Sequence, residues 1–460
     1  MLIVGATGSG KSQLMQGMFW DLVRTSNVKR QHSICLIEPH GDFSSKIAFA
    51  KDIPLDRLVY ISSTINREAG THGYTCIVNP FENDGSEDMR YVLTTELTSA
   101  IAELLADTST PLTVQMTMLL RNMISVTLKA KAIGIAPSLE VLCRFCLDKD
   151  GQNKDLVELG KQSGNARERT FFTHDFHSQE YTITKRSIRT KLLYFLSDEL
   201  LYDMLCGKST VNIENSLNKG DVIIFQIPKG ASKFVSSVFG RLMIAYLNTL
   251  MLRRESIDPK DRKIVFCFID EFQTLITQSL ASSLQEIRKY RMSLILATQS
   301  LKQVESPTMK KTVMVNTGIK CISLSDNQDR KDFAAEMQVS SDELGKLQPL
   351  QFMIKQNDGK SQAFRFKVHI LSKHLFLQGK EKQERLDYLV HQSGMYVKQP
   401  AMQVIQGNNK QGTMSPPPPP APPLATPPVQ HEKRTTEKKG KNNDNNPFTG
   451  TRPTFTTKAD

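Results

Sequence analysis

The stretch GATGSGKS, Gly5 to Ser12, decides how the rest of the chain is read. It fits G-x-x-x-x-G-K-[ST] in full. Glycines at these places let the backbone wrap a polyphosphate with its N–H groups turned inward. Lys11 is placed to reach the β- and γ-phosphates, and the Ser12 hydroxyl to bind Mg²⁺. Gly5, Ala6, Thr7, Gly8, Ser9, Gly10, Lys11 and Ser12 are therefore the expected nucleotide-binding residues, with ATP and Mg²⁺ as the expected ligands. The motif needs a strand before it and a helix after it. Leu2, Ile3 and Val4 supply the strand. Leu14, Met18 and Leu22 recur every fourth residue, with Met15 and Phe19 beside them, which is one face of a helix.

Strand and helix signals continue outward from the loop. SICLIEPHGD (Ser33–Asp42) and RLVYIS (Arg57–Ser62) read as buried strands, as do DVIIFQIPKG, KIVFCFIDEF, MSLILATQS and IKCISLS farther on. A long amphipathic helix, Phe234–Arg254, lies between two of them. Strands alternating with helices predict an α/β fold with a mostly parallel sheet covered on both faces. Gln351–Leu371 reads as two strands around an Asp-Gly turn. Residues 86–215 show helical apolar spacing without comparable strand signals. The expected organisation is a P-loop domain in two pieces, 1–85 and 216–395, interrupted by an all-helical domain at 86–215. A Pro-, Asn- and Lys-rich tail, 396–460, completes the chain. Its SPPPPPAPPLATPP run cannot pack a core, so the tail is expected to be disordered, with the polyproline as a stiff spacer or a docking peptide.

A phosphate loop works with a carboxylate on a neighbouring strand. IVFCFIDEF ends in Asp270, a candidate for the Mg²⁺ shell with Ser12, and Glu271, a candidate general base for the attacking water. SLILATQS ends in Gln299, which a parallel sheet would set beside Asp270 to sense the γ-phosphate or orient water. EIRKYRMSL carries Arg288, Lys289 and Arg291. They are either a solvated helix end or hold an arginine finger for a neighbouring subunit, with Arg288 the first choice and Arg291 the second. The expected catalytic set is Lys11, Glu271, Gln299 and Arg288.

The net charge is +12 and the isoelectric point about 9.2, which permits nucleic acid or an anionic membrane surface as partner. Two basic groups read either as solvated faces or as sequence-tolerant contacts to DNA backbone: Lys310, Lys311 and Lys320, and Lys185, Arg186, Arg189 and Lys191. No apolar run reaches transmembrane length, and the opening apolar residues are too few for a signal peptide. Seven cysteines without framework spacing indicate a reducing, cytoplasmic setting. Cys143/Cys146 and His174/His177 have the ligand types of a zinc site, but a Cys pair within an apolar helix more often packs.

Taken in order, these segments resemble the conjugative coupling-protein ATPases of type IV secretion, TraG/TraD-like members of the HerA–FtsK group of P-loop ATPases. The likeness runs from Met1 to about Leu371. It rests on IEPHGDF (Ile37–Phe43, with Glu38 where the family usually has Asp), DIPLDRLVYIS, IVNPFE, NIENSLNKGDVIIFQIPKG, IDEFQTL, IRKYRMSLILATQSLKQV and LGKLQPLQFMIK. The resemblance implies a RecA-like motor domain and ring hexamers with ATP sites between subunits. It also implies movement of DNA, often with an attached relaxase, toward a channel and its ATPases. The family usually has an N-terminal membrane anchor. Membrane attachment is therefore expected through a segment upstream of Met1 or through a partner protein, at the cytoplasmic face of the bacterial inner membrane. The rival readings are a double-stranded DNA pump for packaging or segregation, and a receptor for protein substrates of a secretion system.

Overall fold

In a computed structural model, residues 1–26, 30–106, 112–146, 151, 153–227, 233–277, 284, 286–304 and 306–399 are described below. The expected disordered tail from residue 400 onward lies outside them.

The chain opens with β1 (Leu2–Val4), the phosphate loop and α1 (Lys11–Ser26), then β2 (His32–Glu38), α2 (Asp42–Ile47), β3 (Leu58–Ser62), α3 (Ile65–Ala69) and β4 (Tyr74–Thr75). Among the described residues eight α-helices follow: α4 (Glu87–Leu105), α5 (Val114–Lys129), α6 (Leu139–Phe145), α7 (Lys154–Lys161), α8 (Ala166–Thr170), α9 (Gln179–Leu196), α10 (Glu199–Leu205) and α11 (Ile213–Lys219). Then come β5 (Val222–Gln226), α12 (Lys233–Leu252), β6 (Ile264–Ile269), β7 (Met292–Thr298), α13 (Pro307–Asn316) and β8 (Ile319–Ile322). The chain continues through α14 (Asn327–Met337), α15 (Ser341–Gly345), β9 (Gln351–Gln356), β10 (Phe364–Lys367), α16 (Gly379–His391) and β11 (Val397–Lys398).

Among the described residues nine strands form one sheet, in the order β10-β9-β8-β1-β7-β6-β2-β5-β3. From β8 to β3 every pairing is parallel, while β9 and β10 add an antiparallel edge. β2, β3 and β5 are buried at every position, which explains their unbroken apolar runs. The register brings Ile37 of β2 beside Ile269 of β6, and Ile269 beside Leu296 of β7. The strands' C-terminal ends thus line up along one edge, where the phosphate loop also sits. On one face α1 packs Phe19 against Phe43 and Phe268, with ring centroids 5.8 and 5.4 Å apart.

Helices α4 to α11 include no strand among their described residues. Ser86, Thr113 and Ser138 cap α4, α5 and α6 by accepting from the N–H of the third residue on, which fixes where those helices begin. An aromatic cluster of Phe145, Phe171, Phe172 and Phe176 fills their core. These helices pass the expected limit at 215, because α11 runs to Lys219 before Gly220 ends it at φ 91°.

Two further readings are corrected. By length and composition the stretch Phe234–Ser256, most of it α12, is long and apolar enough to cross a bilayer, although most of it is buried inside the fold. Its apolar residues face neighbouring protein on several sides, so it reads as a core helix. The expected tail boundary at 396 falls short, because β11 pairs Val397 and Lys398 with Thr75 and Tyr74. Preceding it, α16 inserts Arg385 into the core, where the guanidinium donates to the carbonyls of Ala48, Ala50 and Ile53.

Candidate nucleotide site

The phosphate loop leaves β1 beside β7 and β8, the two strands that flank it. Gly5 N–H donates to the Thr298 carbonyl at 3.2 Å, and Ala6 N–H to the Leu324 carbonyl at 2.6 Å. Gly8 and Gly10 have φ of 81° and 97°, a region that side-chain-bearing residues rarely adopt. Gly5 is also sterically required, since a Cβ there would lie 2.5 Å from Ser9 Oγ.

Lys11 opens α1 and points across the sheet edge. Its ammonium donates to Asp270 Oδ1 at 2.5 Å and to Glu271 Oε1 at 3.4 Å, and all three residues are buried. Gln299, just after β7, donates to Glu271 Oε1 at 3.0 Å and accepts from the Thr7 hydroxyl at 3.3 Å. Thus Lys11, Asp270, Glu271 and Gln299, which are far apart in sequence, meet at one point. Ser12, the other expected Mg²⁺ residue, lines the same cleft of about 500 Å³.

Glu271 sits in the left-handed region at φ 51°, immediately after β6. Burial pushes its carboxyl up, but hydrogen bonds from His40, Gln273 and Gln299, together with the Lys11 charge, hold it well below the ordinary carboxylate range. Gln273 Nε2 donates to Oε2 at 2.7 Å, and His40 Nε2 lies 3.5 Å from Oε1. Glu38 takes a different role. Its carboxylate accepts from the N–H groups of Phe43 and Ser44 at 3.3 and 2.8 Å, so it caps the start of α2. Burial raises its pKa, with the Asp270 charge adding to the effect and the hydrogen bonds at Ser44 and Phe43 opposing it.

Sequence reading missed His40, Gln273, Pro349 and Leu350. His40 lies within IEPHGDF, a motif recognised without a role. Leu350 lies within LGKLQPLQFMIK, likewise recognised without a role: it adopts φ 66°, donates its N–H to the Ser9 carbonyl at 2.8 Å and covers Gly10. With Pro349 it forms an apolar wall of the cleft.

Other expected residues lie elsewhere. Arg288 is exposed in a short helical turn before β7, at the opposite end of that strand from Gln299, and so outside the cleft of its own chain. Arg291 follows it at φ 60°. Lys320 is not a surface cation: it is buried in β8, donates to the Thr317 carbonyl at 2.5 Å and pairs with Glu336 at 3.7 Å. Lys310 pairs with Asp332 at 2.7 Å. Lys185 is also buried, donating to the Phe176 carbonyl at 2.8 Å with its ammonium 4.0 Å from the Phe176 ring centroid. Cys143 and Cys146 are buried thiols, and burial pushes Cys143 up to about 11. His174 and His177 are exposed, and among the described residues no three metal-ligating side chains converge.

Residues 264–361, which include Asp270, Glu271, Gln299 and Leu350, match the family model described as the TraM recognition site of TraD and TraG. The plasmid coupling protein TrwB, solved with ADP and Mg²⁺, superposes with a TM-score of 0.58 at 19% identity, over 83% of this chain and 86% of that one. The chain has the coupling-protein fold. TrwB bound to the non-hydrolysable ATP analogue ADPNP gives the same TM-score and identity over 82% of this chain and 88% of that one. VirB4 of Thermoanaerobacter pseudethanolicus shares the fold more loosely, with a TM-score of 0.53 at 15% identity over 82% of this chain and 90% of that one. No curated protein matches the sequence. In this chain the phosphate loop follows β1, an interior strand of the nine-stranded sheet formed by the described residues.

Proposed function

We propose that the chain is an ATP-hydrolysing motor of a conjugative system, delivering DNA or a relaxase–DNA complex to a type IV secretion channel. The observation that carries this reading is the convergence of Lys11, Asp270, Glu271 and Gln299 on the phosphate loop of a coupling-protein fold.

The residues fit a nucleotide and a metal. Gly8 and Gly10 give the loop the left-handed backbone that a phosphate cradle needs, and two buried carboxylates flank its lysine. Mg²⁺, held by Ser12 and Asp270, would neutralise charge on the β- and γ-phosphate oxygens. Lys11 divides its ammonium between Asp270 and Glu271, so turning it toward phosphate releases Asp270 for the metal. Glu271, fixed by Gln299, Gln273 and His40, is held ionised and oriented to accept a proton from water. Gln299 bridges Glu271 and Thr7, so a change at the end of the phosphate loop moves the base. Arg288, exposed and far from its own cleft, completes a neighbour's site in a homohexameric ring at the cytoplasmic face of the inner membrane.

Motor activity is tested by displacement of a third strand from a DNA triplex by the purified protein. Displacement that needs ATP and is lost in Lys11→Ala supports the proposal. ATP turnover without any displacement, on either duplex or single-stranded tracks, removes the motor reading and leaves a nucleotide-dependent receptor for protein cargo.

A further inference from the structure

We propose that a second, basic pocket between α14 and α15 binds phosphate groups of the DNA backbone and reports their presence to the nucleotide cleft. This inference rests on the motor reading above.

The pocket measures about 500 Å³ and is lined by Arg330, Lys331 and Lys346, with Asn327, Ser341 and the exposed carboxylate of Asp342. Several neighbouring cations are compensated: Lys302 pairs with Asp326, Lys310 with Asp332 and Lys320 with Glu336. Among the described residues Arg330, Lys331 and Lys346 have no ion-pair partner. The guanidinium of Arg330 is set in place by its surroundings. It donates to Asn327 Oδ1, its Nε is shielded from solvent without an acceptor, and it lies so close to Gly345 that a Cβ there would sit 2.7 Å from Nη1. Three cations against one exposed carboxylate give a net positive hollow, which suits an anion made of oxygens that can take several N–H donors at once. A DNA backbone offers such groups repeatedly and without regard to sequence.

Both walls of the pocket lead to the nucleotide cleft. At the start of α14, Asp326 accepts from the Ser300 hydroxyl at 3.1 Å, and Asp329 accepts from Leu301 N–H at 3.2 Å. Those residues directly follow Gln299. On the other wall, Lys346 is four residues from Leu350, which is bonded to Ser9. A phosphate drawing Arg330 and Lys346 together would therefore act on the water-orienting glutamine and on the phosphate loop. This gives a route by which DNA raises ATP turnover.

The experiment measures binding of labelled single-stranded and duplex oligonucleotides by fluorescence anisotropy over a salt series. Wild type is compared with Lys331→Gln, Lys346→Gln, Arg330→Gln and the exposed control Lys380→Gln. Inorganic phosphate and polyglutamate serve as competitors. Each pocket variant should lower the slope of log K against log salt by about 0.7–0.9 and reduce DNA stimulation of ATP hydrolysis, with Lys380→Gln unaffected. Lys331 and Lys346 are exposed, so their variants give a readout even if Arg330→Gln fails to fold. Unchanged slopes in the lysine variants, or an equal change in the control, overturn the proposal. So does competition by polyglutamate as effective as that of unlabelled DNA at equal charge, which makes the hollow an acidic-protein site. Competition by inorganic phosphate together with pocket variants that leave DNA binding unchanged makes it a small-anion site and also overturns it. If wild type binds no DNA of either form, the motor reading fails instead.

Discussion

Glu271 shows how much one residue's surroundings decide. Its ionised form is favoured by folding, because the hydrogen bonds and the Lys11 charge outweigh its burial. The stability it contributes is complete above the ordinary carboxylate value of about 4.3 and is lost as pH falls toward the lower folded value. Glu271→Gln should therefore be less stable than wild type at neutral pH, with the gap narrowing as the solution is acidified below pH ~4. Denaturant unfolding at several pH values measures this, and a gap that stays constant on acidification would show that the carboxylate is not held ionised. The position of this carboxylate was legible in IVFCFIDEF, because an acidic pair ending a buried strand needs a reason. Its holders were not. His40 and Gln273 belong to loops whose direction depends on where β2 and β6 end relative to each other. Lys185 and Lys320 were misread for the opposite reason. A lysine can be buried when backbone carbonyls or a carboxylate receive its ammonium, and nothing local in the sequence announces those acceptors.

At the scale of elements, the strands were legible and the wall over the loop was not. β2, β5, β6, β7 and β8 sit inside a sheet covered on both faces, so their apolar runs are close to continuous. α16 and β11 escaped notice because α16 is rich in charge and buries an arginine, while β11 is a two-residue edge. The Leu350 turn depends on a left-handed backbone that leucine seldom adopts, held by the Ser9 carbonyl and by Val368 N–H, which donates to the Leu350 carbonyl at 2.8 Å. Gly10 meets this turn directly: an added Cβ would lie 2.6 Å from Leu350 Cδ2 and 3.2 Å from its Cα. Gly10→Ala should thus lose nucleotide affinity by about tenfold or more, as read by a fluorescent ATP analogue, since the loop must move or the wall must open. In the helical stretch, a Cβ on Gly160 would lie 2.3 Å from the Phe172 ring. Gly160→Ala should cost about 1–3 kcal/mol of stability by overpacking, with nucleotide binding retained. Calorimetry checks the first part, and an unshifted melting temperature would mean the aromatic cluster is looser than its geometry indicates.

For the whole molecule, the arrangement separates Glu271 from Arg288. Glu271 stands at the C-terminal edge of the sheet and Arg288 at the start of β7, so one chain cannot use both in a single site. If subunits share sites, mixing Glu271→Gln with Arg288→Ala should restore ATP turnover that neither variant shows alone. Absence of recovery under conditions where the variants co-assemble would remove Arg288 from the mechanism. The central claim is that Lys11, Asp270, Glu271 and Gln299 form an ATP-hydrolysing site driven by DNA. It is tested most directly by steady-state ATP hydrolysis with and without DNA in wild type and Glu271→Gln. The account predicts turnover that rises with DNA in wild type and falls by about 100-fold or more in the variant, which still binds the nucleotide. Turnover in Glu271→Gln equal to that of wild type would contradict it.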